Sequence, residues 1–199
     1  LFGSFWAAVT IIKMGVMTIK MMQSNRSLCR HFLVITLWVL FASLGISQAY
    51  ARASTQTAFS PSPKAIALVQ STIAHAEYSI NLAAYSFTSY KIADALIEAK
   101  QRGVEVRVLL DKAQGKRHYR AIKDLQDAGI PIRINRHYAI MHNKYLIVDD
   151  KTVETGSFNY TANAEKHNAE NVIVIKNNKK LATEFMDNWQ KLWDEGESY

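Results

Sequence analysis

The sequence predicts an α/β fold, a layered α/β/α sandwich with a central mixed β-sheet. Three observations predict it. Short β-branched runs alternate with segments of helical periodicity from residue 63 onward. Glycines stand where two of those helices should stop. The 104–110 stretch VEVRVLL is a β-branched run that reads as a strand.

Taken in order, Pro63 is placed to open a helix whose Ala65, Leu68, Val69, Thr72 and Ile73 share one side. Residues 79–85 follow as a strand, with Ile80, Leu82 and Ala84 alternating. Thr88 or Ser89 can cap the next helix, whose Ile92, Ala95, Leu96 and Ala99 form a stripe that ends at Gly103. After the 104–110 strand, a basic helix is expected near 116–128, closed by Gly129. Strands are expected at 130–134, 145–148 and 171–175, and a closing helix at 178–194. Phe185, Trp189 and Trp193 recur every fourth residue on that helix and read as a packing stripe.

The first 51 residues differ in kind. They carry Lys13, Lys20, Arg26 and Arg30 and no acid, so the rest of the chain holds 20 basic residues against 17 acidic ones, a net +3 rather than +7. A mildly basic surface of that kind permits nucleic-acid binding without requiring it. Within 22–51, a polar basic start precedes an apolar run from Phe32 to Ile46, then Ala49 and Ala51 in an A-x-A relation. This order predicts a signal peptide cut after Ala51. The competing reading is a retained anchor, although the run is shorter than a usual membrane span. Residues 1–21 fit neither pattern and are expected to be an upstream extension, with the true start at Met21 or Met22. The sole cysteine, Cys29, lies in the leader, so no disulfide is expected in the mature chain. Residues 52–62 are expected to be a linker and 63–199 one domain, large enough for a real core.

The chemistry concentrates in His142-Asn143-Lys144, Asp149, and Gly156-Ser157-Phe158-Asn159, a pattern H-x-K-x4-D-x6-G-S-x-N. Two residues apart on an extended segment, His142 and Lys144 project from one face and can converge on one anion, as nucleophile and electrostatic clamp. Ser157 and Asn159 have the same spacing after a permissive glycine and offer a hydroxyl and an amide to phosphate oxygens. Asp149 has the opposite parity, which favours a structural role.

On these residues, with Tyr85-Ser86-Phe87-Thr88, the sequence from about Pro63 onward resembles the phospholipase D superfamily, and in particular its small single-motif bacterial endonucleases. The resemblance implies a phosphohistidine intermediate and no metal ion or other cofactor. His142 would be the nucleophile, Lys144 and Asn159 would grip the phosphate, and Ser157 would support the site. Glu170 would hydrogen-bond and orient His142. Because the chain holds one H-x-K, it further implies a homodimer in which a second His142 serves as the acid.

DNA, and RNA by the same chemistry, is the expected substrate, contacted chiefly through phosphates. A phospholipid hydrolase and a silent nucleic-acid-binding module remain the alternatives. Lys116, Arg117, Arg120 and Arg136, with Lys112, Lys123 and Arg133, form either a polyanion track or an ordinary solvated surface. His75, His118, His137 and His167 lack metal-ligand spacing. The predicted location is the periplasm or the medium, with no stable membrane association after cleavage.

Overall fold

The computed structural model describes residues 52–115 and 119–199. The expected leader and upstream extension, together with Lys116, Arg117 and His118, lie outside the described residues.

Eight strands form one mixed sheet in the order β1-β7-β6-β5-β2-β3-β4-β8. They are β1 (Ser54–Ser60), β2 (Ser79–Ala84), β3 (Glu105–Asp111), β4 (Ile132–Asn135), β5 (Lys144–Val148), β6 (Thr152–Gly156), β7 (Glu170–Lys176) and β8 (Gly196–Ser198). The helices are α1 (Pro63–Ala74), α2 (Tyr90–Gln101), α3 (Arg120–Asp127), α4 (Ala162–Lys166) and α5 (Lys179–Asp194). Strands β2, β3 and β4 run parallel, and every other pairing is antiparallel.

Side-chain alternation sorts the core into two layers. Ile80 and Leu82 of β2, Val106 and Val108 of β3, and Leu146 and Val148 of β5 face α1, α2 and α3. The intervening Ala83, Leu109, Tyr145 and Ile147 face α5. Trp189 and Trp193 of α5 stack at 4.8 Å in that second layer, so the aromatic stripe is a packing face. Arg107 and Arg133 lie over the two indoles, with guanidinium carbons 4.6 Å from the Trp189 centroid and 4.9 Å from that of Trp193.

Two expectations need correction. The 52–62 linker is in large part β1, paired along its whole length with β7 from Ser54↔Lys176 to Ser60↔Glu170. It is an edge strand with five exposed positions, so STQTAFS carries no apolar alternation to betray it. The basic helix is described only as Arg120–Asp127. Strand β6, helix α4 and strand β8 were not anticipated. β6 follows a three-residue connection in which Asp149 and Asp150 adopt φ of 53° and 51°, consecutive positive values usually signalled by Asn-Gly or Asp-Gly.

That turn explains Asp149. Its carboxylate accepts hydrogen bonds from the backbone N–H groups of Glu77, Tyr78 (2.7 Å) and Ser79 (3.0 Å), and its side chain is 1% exposed. It pins the β5–β6 hairpin to the start of β2, at the end of the sheet opposite His142. Its parity did forecast a structural place.

A second buried acid ties the strands to the loop that follows β6. Glu154 is 1% exposed and accepts a 2.7 Å hydrogen bond from the Tyr160 hydroxyl. Desolvation pushes its carboxyl up to about 8, and the bond from Tyr160 opposes that shift only in part. Tyr160 in turn accepts from the N–H groups of Thr88 and Ser89 and donates its own to Ser86.

Replacing Asp149 with Ala removes the buried acceptor of three backbone N–H groups and places Ala at a positive φ. The expected loss is about 3–5 kcal/mol in urea denaturation, and Asp149→Asn, which keeps an acceptor and tolerates that φ, should lose less. Glu154 gives a pH signature. Between its ordinary 4.5 and about 8, the folded chain holds a proton that the unfolded chain has released. Its contribution therefore makes stability fall as pH rises through that window and level off above it. Glu154→Gln should remove that slope, gaining on the order of 4 kcal/mol on the parent between pH 4.5 and 8.5. Parallel stability–pH curves for the two proteins would refute the assignment.

Candidate active site

The candidate residues gather at one edge of the sheet, where β2, β3 and β6 end and β5 and β7 begin. Ala84 pairs with Lys144, Tyr145 with Thr155, and Gly156 with Val172, which brings these strand ends level. The carboxyl ends of parallel strands are the usual place for a site in an α/β sheet.

His142 precedes β5 on a segment held from two sides. The Met141 N–H donates to the Asp111 carboxylate at 2.8 Å, and the Tyr85 N–H donates to the Asn143 carbonyl at 2.9 Å. Asp111 is itself buried at the end of β3, and its other oxygen accepts from the Ala113 N–H. The Tyr85 ring packs against the imidazole, with centroids 4.4 Å apart.

Lys144 Nζ lies 3.0 Å from His142 Nδ1, 3.1 Å from Nε2 and 2.8 Å from the His142 carbonyl oxygen, to which it donates. Near-equal distances to both ring nitrogens mean that the ammonium straddles the ring instead of bonding along one lone pair. It also sits 5.2 Å from the centre of the Tyr85 ring. Lys144 is 8% exposed, and among the described residues no carboxylate lies within salt-bridge distance of it. Desolvation lowers its pKa from the ordinary 10.5, and the charge of Glu170 partly offsets this. A buried cation without a counter-ion is a site prepared for an anion.

The second half of the motif is locked to the start of β7. Gly156 passes so close that a Cβ there would lie 2.2 Å from the Asn171 carbonyl oxygen, so no other residue fits. Ser157 donates its N–H to Asn171 Oδ1 (2.9 Å) and its hydroxyl to Glu170 (2.5 Å), and the hydroxyl accepts from the Asn171 N–H (3.0 Å). The other Glu170 oxygen accepts from Asn168 Nδ2 (3.0 Å).

This corrects the expected Glu170–His142 bond: the carboxylate of Glu170 is held by Ser157 and Asn168. The physical reason is strand order, since β6 lies between β5, which carries His142, and β7, which carries Glu170. The Ser157 hydroxyl, expected to face phosphate, is likewise committed to Glu170.

His142, Lys144, Ser157, Asn159 and Glu170 nevertheless line one open cleft of about 790 Å³, walled opposite by Glu184, Phe185 and Asn188 of α5. The Asn159 Oδ1 atom is buried without a hydrogen-bond partner. Among the described residues, no three His, Cys, Asp or Glu side chains converge as metal ligands.

The described part of the basic region is engaged elsewhere. Arg120 pairs with Asp124, Lys123 with Asp127 and Arg136 with Glu197, while Lys112 donates to the Tyr138 carbonyl. These contacts favour the solvated-surface reading for those residues. Sequence reasoning missed Asp111 and Asn171. The available signals were an acid at the end of a buried parallel strand and an amide directly after Glu170.

Comparison with known proteins agrees with this geometry. Residues 69–193 match the domain family described as cardiolipin synthase, PLD-like domain. A phospholipase D of Rickettsia felis is 42% identical over 138 residues, covering 69% of this chain and 68% of that protein. A mitochondrial cardiolipin hydrolase of Chlamydomonas reinhardtii is 31% identical over 136 residues, covering 68% of this chain and 60% of that protein. The crystal structure of Nuc from Salmonella typhimurium, a phospholipase D family member, superposes with a TM-score of 0.71 at 42% identity, covering 74% of this chain and 99% of that one. With its single H-x-K-x4-D motif at the rim of an eight-stranded mixed sheet, the chain belongs to the phospholipase D superfamily and is a phosphodiesterase of that superfamily.

Proposed function

We propose that this phosphodiesterase is a non-specific endonuclease, cleaving DNA and, by the same chemistry, RNA. The observation that carries the reading is the cleft itself. It is open, and beside the catalytic pair most of its lining residues are Asn, Thr, Ser and Glu, with Tyr145 and Phe185 the aromatic exceptions. A polymer backbone can cross such an open cleft with one phosphate on the catalytic pair. The relatives named for phospholipase D and cardiolipin hydrolysis keep a lipid phosphodiester as the second reading.

In the proposed reaction a neutral His142 nitrogen attacks phosphorus, forming an N–P bond as the bond to the leaving oxygen breaks. Lys144 stabilises the charge that builds on the phosphoryl oxygens, and its burial strengthens that effect. A protonated histidine gives its proton to the leaving oxygen. Water, deprotonated by that same histidine, then attacks phosphorus and breaks the N–P bond. Among the described residues the cleft contains one histidine, His142. The acid is therefore assigned to His142 of a second copy, in a homodimer whose two-fold axis passes the site. Ile140, 52% exposed two residues before His142, would offer an apolar group to that contact.

The leader at 22–51 supports export to the periplasm or the medium. There the enzyme would degrade nucleic acid without a bound metal.

Residues 52–199 should degrade plasmid DNA in excess EDTA, and His142→Ala should lower the rate by about a thousandfold or more. Activity lost in EDTA and restored by magnesium would overturn the phosphohistidine reaction. Co-refolding parent and His142→Ala chains in equal amounts tests the shared site. If each site needs both copies of His142, about a quarter of the parent activity per total chain should remain. Retention of about half would show that each chain works alone.

A further inference from the structure

A second depression, of about 490 Å³, opens beside the catalytic cleft. We propose that it is a nucleoside subsite, holding the sugar and base next to the scissile phosphate. The inference rests on the endonuclease reading and specifies how that site would take its substrate.

Two residues join the depression to the reacting atoms. Asn159 lines both the cleft and the depression. Tyr85 lines the depression and packs its ring 4.4 Å from that of His142. A phosphodiester at His142 and Lys144 therefore has one of its two substituents directed along Tyr85 and Asn159. The volume is within the range of small-molecule pockets.

The wall chemistry selects the occupant. Tyr85 and Tyr119 bring phenol rings, Asn159, Asn163 and Asn168 bring amides, and Thr88 brings a hydroxyl. Among the described residues no charged side chain lines the depression. The walls alternate aromatic and polar groups without an aliphatic run, which gives an acyl chain no continuous apolar surface. A planar heterocycle with ring N–H and carbonyl groups, attached to a hydroxylated sugar, matches both kinds of wall. The Oδ1 of Asn159 is buried without a hydrogen-bond partner among the described residues. Amides both donate and accept, and phenol rings stack on any base. Such a subsite would hold a nucleoside without choosing among the four bases.

The test uses two variants that spare His142, Lys144 and Asn159. Ala162→Phe, at an exposed position on the rim, fills the depression, and Asn163→Ala removes one of its amides. Each is assayed with a thymidine dinucleotide, with the two analogues lacking one base, and with methyl 4-nitrophenyl phosphate. The parent should lose about ten- to a hundredfold in kcat/KM when one particular base is deleted, mostly through KM. Ala162→Phe should show the same loss on the complete dinucleotide and little further loss on that analogue, and Asn163→Ala a smaller one. Their turnover of the small diester should stay near the parent's.

Dinucleotide cleavage that ignores both the missing base and Ala162→Phe would overturn the subsite and leave the endonuclease reading intact. So would an equal fall on every substrate, which would show a general defect. Hydrolysis of cardiolipin vesicles by the parent, with no cleavage of dinucleotide or DNA, would overturn both.

Discussion

An ammonium group that is 8% exposed and faces no carboxylate within ion-pair distance is an expensive thing to fold. Lys144 is held in that state by an imidazole, a carbonyl oxygen and the face of Tyr85, none of which neutralises its charge. Desolvation makes its proton easier to lose, and Glu170, the acid that offsets this, is already bonded to Ser157 and Asn168. In the proposed reaction an arriving phosphodiester would supply the missing negative charge. Ground-state binding and transition-state stabilisation would then begin from one unbalanced cation, which the surrounding described residues leave unbalanced.

The motif residues divide accordingly. His142 and Lys144 face the cleft, whereas Asp149 is fastened to the backbone of Glu77, Tyr78 and Ser79 at the far end of the sheet. Gly156 is there because the Asn171 carbonyl leaves no room for a Cβ. Ser157 and Asn171 exchange hydrogen bonds that fix where β6 ends and β7 begins. Much of a pattern that reads as a chemical signature is thus mechanical: it sets the register of three adjacent strands so that two side chains meet. Asp111 does similar work from β3, by holding the N–H of Met141 next to His142.

What could be read from the sequence follows the same division. Strands buried on both faces, such as 104–110, and helices stopped by Gly103 and Gly129 announce themselves through local composition. The H-x-K spacing announced a shared face, and the parity of Asp149 placed it away from the site. β1 was hidden because an edge strand with one solvated face needs little apolar residue content. β6 was hidden because two aspartates, rather than a glycine, take the positive φ values of its turn. The partners of Glu170 were illegible for a deeper reason. They depend on which strand lies between β5 and β7, a property of sheet order that no residue spacing records.

The same architecture shows how one chemistry can be turned to different phosphodiesters. The attack needs a histidine, a lysine and a fixed hydrogen-bond frame, all of which lie at the ends of β5, β6 and β7. None of these groups reads what is attached to the phosphate. Discrimination must come from surfaces reached by the two substituents, and these are carried by other parts of the chain: the segment after β2, the start of α3, the turn before α4, and α5. The clamps at Asp149, Gly156 and Asn171 do not involve those segments, whereas the segment after β2 also holds the Asn143 carbonyl through the Tyr85 N–H. Substrate choice would then be a property of the loops and helices around this frame. A lipid enzyme and a nuclease can share the sheet, the motif and the reaction, and differ only in what their walls admit.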